Sequence, residues 1–182
     1  MSPDDSTLYI FVEGPTDQAL LERHIIPRLR LSPRVRYIQY RTLSNRDLRN
    51  ILKGTTADGG SYVFLRDQDD FGCYPSAIAR VRQVFKQIES RRVHIVIRSV
   101  EGWYFGGLTR SACSKLGVNY RFISNNTSDV RGSTMSAAVT DACGLGPTEL
   151  LYACLDVFDL DRAKARNSSL HRFCSRLREE FS

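Results

Sequence analysis

The chain has 182 residues, 42% of them hydrophobic and 25% charged, which suits one soluble domain with a sizeable core. No run is long enough to span a membrane, and the polar, acidic start at residues 1–5 does not read as a secretory signal, so a cytoplasmic protein is expected. The net charge is +6, with 22 Arg against 4 Lys, and five widely spread cysteines form neither a zinc pattern nor a disulfide framework.

Residues 8–12 are a continuous apolar, β-prone run and predict a buried strand. It stops at Glu13, and Gly14 and Pro15 make a turn into a helix, with Thr16 as the expected cap, running to about Arg28. Residues 35–40 predict a second strand, and Ser44 caps a short helix to about Leu52. Residues 55–60 read as a turn, and 61–66 as a third strand. That strand runs straight into Asp67, Asp69 and Asp70. Pro75 opens a helix to about Ser90, and 93–98 is a fourth buried strand followed by Glu101. This alternation predicts an α/β fold with a mostly parallel four-stranded sheet flanked by helices. Residues 1–110 form the expected core and 111–182 a helical C-terminal extension packed on it. Within the extension, 119–133 reads as a long polar loop and 134–144 as a helix, followed by helices at 147–158, 159–166 and 168–181.

In a parallel sheet, strand ends of the same sense share one edge, where open sheets bind ligands. Glu13, Asp67, Asp69 and Glu101 should therefore converge. Hard oxygen donors without His or Cys are the donor set of Mg²⁺ or Mn²⁺. Each acid alone has an ordinary alternative as a helix cap, a solvated turn residue or an arginine partner. Arg66, Arg98, Arg121 and Arg131 are candidates for substrate phosphate, since guanidinium binds phosphate bidentately. The same arginine excess also follows from codon usage. Trp103, Tyr104 and Phe105 either wedge into the core or offer a face to a base, Tyr40 reads as packing, and Cys73 as a buried loop thiol. No Gly-Lys-Ser/Thr sequence is present, which argues against an NTPase.

The Glu13-Gly14-Pro15-Thr16-Asp17 turn followed by Asp67-Gln68-Asp69 resembles the Toprim fold of bacterial primases, topoisomerases and OLD-family nucleases. Val100-Glu101-Gly102-Trp103 is similar to a subset of small bacterial Toprim-like proteins encoded beside ATPases in suspected anti-phage settings. The resemblance covers residues 8 to about 105 and lacks a clear catalytic basic residue. It implies that Asp67 and Asp69 hold divalent ions, that Glu13 is a ligand or the general acid or base, and that Glu101 is an added ligand. Asp17 would support the helix start or the metal's surroundings. The expected activity is a nuclease acting on DNA or RNA. The alternative is a non-catalytic subunit that binds nucleic acid or a nucleotide and regulates an ATPase partner.

Overall fold

The structure, a computed structural model, describes residues 6–69, 73–120, 123, 127–130 and 144–182. Four strands, β1 (Thr7–Val12), β2 (Arg34–Gln39), β3 (Ser61–Asp67) and β4 (Val93–Val96), form one sheet in the order β2-β1-β3-β4. Every pairing is parallel, with Thr7 opposite Arg34, Leu8 opposite Ser61 and Asp67 opposite Val96. The expected α/β class is therefore the observed one.

Both faces of the sheet are covered, which is why its inner strands read as unbroken apolar runs. Leu8, Ile10, Val12, Val63 and Leu65 point to one face and Phe11, Tyr62 and Phe64 to the other. The second face is sealed by α3 (Asn45–Ala57) and α4 (Tyr74–Val84). Its centre is aromatic: Tyr40 stacks on Phe64 with ring centroids 4.3 Å apart, and Phe11 also stacks with Phe64, at 5.9 Å.

The first face is covered from both ends of the chain. A helical run comprises α1 (Pro15–Leu20), a π-turn (Leu21–Ile25) and α2 (Ile26–Leu29), and it buries Leu20, Leu21, Ile25 and Leu29. Beside it pack α5 (Glu101–Gly106), α6 (Arg110–Leu116), α7 (Pro147–Leu155), α8 (Leu160–Arg166) and α9 (Ser168–Phe181). Trp103, Tyr104 and Phe105 are fully buried and share one core with Leu8 and Phe173. They are thus the core wedge. Asn167 caps α9 with Oδ1, accepting from the Ser169 and Leu170 amides at 3.2 and 3.1 Å.

Several expected boundaries shift for identifiable reasons. α3 continues to Ala57 through the expected turn, with the Thr55 and Thr56 hydroxyls donating back to the Ile51 and Leu52 carbonyls. α4 stops at Val84, six residues short of Ser90. Phe85 leaves helical geometry, Ile88 returns to the core, and the Glu89 amide donates to the Tyr62 hydroxyl at 3.1 Å. β4 ends at Val96 because Arg98 takes a left-handed φ of 62°. Cys73, expected to be buried, is exposed, and its bond with Ser76 lowers its pKa. The expected helix at 134–144, save its last residue, and most of the 119–133 loop lie outside the described residues.

The approach of α5 to residues 127–130 sets how Glu101 is held. A Cβ on Gly102 would sit 2.5 Å from the Thr127 carbonyl oxygen. Gly102→Ala should therefore cost on the order of 1–3 kcal/mol, read as a lower urea midpoint with an unchanged slope. An unchanged midpoint would mean that this contact is loose.

Candidate metal and phosphate site

The site is built at the carboxyl ends of β1 and β3 and the start of α5. β1 ends at Val12, and Gly14-Pro15 just beyond it opens α1. Thr16 does not cap that helix. Asp17 does, accepting the amides of Glu13 at 3.0 Å and Gly14 at 3.3 Å with Oδ2. Asp17 is itself buried, and the Tyr104 hydroxyl donates to the neighbouring Thr16 carbonyl at 2.7 Å. The turn that carries Glu13 is therefore fixed from below.

Glu13 in turn joins two strand ends. Its Oε1 accepts from the Asp67 amide at 3.2 Å, and its Oε2 lies 4.0 Å from Arg41. Arg41 is 80% exposed, so this ion pair contributes little stability. Glu101 stands in the first turn of α5, and its Oε2 is buried without a hydrogen-bond partner among the described residues. Glu13, Asp17, Asp67 and Glu101 line one cavity of about 340 Å³, together with Arg41 and Thr148.

The electrostatics of that cavity are unfavourable as it stands. Burial first, and then repulsion from Glu13, Asp17 and Glu101, hold the Asp67 carboxyl well above the usual range. Burial and Glu13 push Asp17 up to about 6, against the two amide bonds that favour its charge. A buried carboxylate oxygen with no partner and two raised carboxyls are the marks of a site short of positive charge.

Asp69 goes elsewhere. The strand stops at Asp67, and Asp69 takes a left-handed φ of 52° with its amide on the Arg98 carbonyl at 3.0 Å. Its carboxylate is half exposed, lies 3.7 Å from Arg66 and does not line the cavity. Arg98, also left-handed, gives its amide to Gln68 Oε1 at 3.4 Å and is not among the lining residues either. Arg121, Arg131 and Asp70 lie outside the described residues.

Arg66 is partly buried, and its Nε lacks a partner, as does the hydroxyl of the buried Tyr40. Glu13, Arg66 and Asp67 all act on the Tyr40 hydroxyl, whose pKa is raised chiefly by burial. Two unpaired donors thus stand near the edge that carries the acids. Tyr40 follows β2 in a short 3-10 turn, Tyr40–Thr42, and no strand periodicity could have assigned it to the site. Thr148 arrives from the first turn of α7, with no signal in the sequence at all.

Among the described residues, no group of three or more His, Cys, Asp or Glu side chains is already drawn together at metal-ligand spacing. The donor chemistry nevertheless fits a hard divalent cation. All the donors are carboxylate oxygens, they line one cavity, and burial and mutual repulsion raise Asp67 and Asp17 despite the hydrogen bonds those two accept. Compared with known protein families, curated proteins and solved structures, the chain matches none.

Proposed function

We propose that the protein is a divalent-metal-dependent nuclease of Toprim type, hydrolysing phosphodiester bonds of DNA or RNA. The observation that carries this is the convergence of Glu13, Asp67 and Glu101, from three separate chain segments, on one cavity with unneutralised charge. Asp67, Glu101 and Glu13 would hold Mg²⁺ or Mn²⁺, with Asp69 able to join only if its turn rearranges. Bound there, such an ion supplies a polarised phosphate and a nucleophilic hydroxide. Hydrolysis would join a hydroxyl derived from water to phosphorus and break the bond to a sugar oxygen, which would take up the proton.

The chain's own residues then have distinct tasks. Asp17 holds the Glu13 backbone and so aims its carboxylate at the cavity. Arg41, which lines the cavity, and Arg66, which pairs with Asp69, would meet the phosphate backbone. The net charge of +6 draws a polyanion toward this acidic centre. No helix among the described residues is long and apolar enough to cross a membrane. In a cell the resemblance would make this protein the effector of an anti-phage system with an ATPase partner.

One observation favours a second reading, in which a non-catalytic subunit binds nucleic acid or a nucleotide and regulates the ATPase. Asp69 is turned toward Arg66 and away from the other acids. The two readings separate on plasmid, single-stranded DNA and tRNA incubated with Mg²⁺ or Mn²⁺. Metal-dependent cleavage that Asp67→Asn abolishes supports the nuclease; binding without cleavage supports the subunit.

A further inference from the structure

A second concavity draws residues from β3 and α5, as the acidic one does. It holds about 380 Å³, and its wall includes Leu65 of β3 and Trp103 of α5. Leu65 and Asp67 are two residues apart on one strand, so they share a face about 7 Å apart. Glu101 and Trp103, two apart on a helix, point to different sides of α5. The first turn of α5 thus contributes a residue to each hollow.

Three features narrow what this pocket takes. Its volume is at the small end of ligand clefts, about 300–1,000 Å³, and suits a nucleotide-sized molecule. Its charge comes from Arg172 and Arg176 of α9, against the acid Glu179. Arg176 is shared with Glu180 at 3.1 Å and with the Arg91 carbonyl. Arg172 stands over the ring of Tyr74, 5.8 Å from its centroid, and Tyr74 is 38% exposed, so an aromatic face and a guanidinium are offered together.

The third feature is the sheet edge. Among the described residues β4 has a strand on one side only. Val96 faces β3, because its carbonyl accepts the Gln68 amide at 2.8 Å. By the alternation of a parallel ladder, Ile95 turns its N–H and C=O outward, and Ile95 lines this pocket. An adjacent donor and acceptor complement the hydrogen-bonding edge of a nucleobase. His94, buried edge-on against Phe173, is held neutral and adds no charge to the wall.

We propose that this pocket binds a nucleoside phosphate, with the base on the Ile95 edge and the Tyr74 ring and the phosphate on Arg172. In the working protein it would hold one nucleotide of the strand whose backbone enters the acidic cavity, which rests on the nuclease reading above. Binding in the pocket itself needs neither metal nor cleavage. A peptide strand added to β4 would use the same edge. The four-residue length of β4 and the two arginines favour the nucleotide.

Trp103 is the chain's one tryptophan and part of the pocket wall, so its fluorescence reports occupancy. The experiment titrates the full chain with AMP, CMP, GMP or UMP in excess EDTA, for wild type, Asp67→Asn, Arg172→Gln and Tyr74→Ala. The expected result is a saturable change with at least one nucleotide, retained in Asp67→Asn and weakened about tenfold or more by Arg172→Gln. Adenosine and inorganic phosphate should each bind more weakly than AMP. Circular dichroism checks that the variants stay folded; Arg172 and Tyr74 are both exposed.

The proposal is overturned if no nucleotide gives a saturable change at millimolar concentration, or if Arg172→Gln and Tyr74→Ala both leave the affinity alone. It is equally overturned if inorganic phosphate binds as well as the nucleotides, or if only a short extended peptide gives the response. Nucleotide binding without metal-dependent cleavage removes the nuclease and leaves the pocket. Cleavage without nucleotide binding does the reverse.

Discussion

Asp67→Asn should raise the melting temperature of the metal-free protein and, in the same molecule, remove the metal-dependent cleavage proposed above. Asp67 keeps a carboxyl where burial and three other acids oppose its charge. An amide of the same shape removes that repulsion and leaves the Asp67 backbone bond to Glu13 in place. The gain should be on the order of 1–3 kcal/mol, or about 2–4 °C per kcal/mol for a chain of this size. The loss should be larger. A metal-polarised phosphate is worth several kcal/mol in the transition state, so cleavage should fall by about 10³ or more. Thermal melts in EDTA and a plasmid-nicking assay read the two effects. A variant that is destabilised in EDTA would place Asp67 among structural acids instead.

Lowering the pH from 7 to 5 should cost stability through His94. Its ring lies edge-on to Phe173, 5.2 Å between centroids, and burial pushes its pKa from 6.5 to about 3, with Arg176 adding to the shift. The folded state therefore resists a proton that the unfolded chain accepts. The stability this contributes is present above about pH 6.5 and is lost as pH falls toward 3. At about 1.4 kcal/mol per unit, the loss reaches about 2 kcal/mol by pH 5. Asp17 works in the opposite direction. Its pKa rises from 3.8 to about 6 on folding, so its contribution is present below about pH 4 and is lost as pH rises through 6. The two trends overlap, and only a difference measurement separates them. Urea denaturation of wild type and His94→Leu at pH 7 and pH 5 should show wild type losing about 2 kcal/mol more than the variant. Equal losses would mean that His94 titrates normally.

Divalent ions act on the same balance. If the acids hold a cation only in the folded state, millimolar Mg²⁺ or Mn²⁺ should raise the melting temperature of the wild type and not of Asp67→Asn. No change in the wild type would remove the metal from the account.

Much of the sheet was legible because a parallel strand buried on both faces must be apolar throughout. Ile10, Phe11 and Val12, or Val63, Phe64 and Leu65, admit few other readings. The last helix was equally plain: Leu170, Phe173 and Leu177 recur at helical spacing, and α9 runs over Ser168–Phe181, with its Asn167 cap seen only in the structure. The site was legible to the extent that it follows strand ends. Glu13 and Asp67 sit directly on them, and Glu101 follows one.

What was not legible lies where the chain leaves regular structure. A two-residue spacing puts Asp67 and Asp69 on one face only while a strand continues, and here it ends at Asp67. Asp69 then follows a left-handed turn to Arg66. Tyr40 reads as packing, and its ring does stack on Phe64, but its hydroxyl is left unpaired and feels the charges of Glu13 and Asp67. No local pattern marks a side chain whose role depends on where another strand ends.

The most direct measurement of the central claim is Mn²⁺ binding by electron paramagnetic resonance on the full chain. The account predicts saturable binding in the wild type at millimolar concentration or below. Asp67→Asn and Glu101→Gln should each weaken it about tenfold or more, and Asp69→Asn should weaken it less. Absence of saturable Mn²⁺ binding, or binding that Asp67→Asn and Glu101→Gln leave intact, would contradict it.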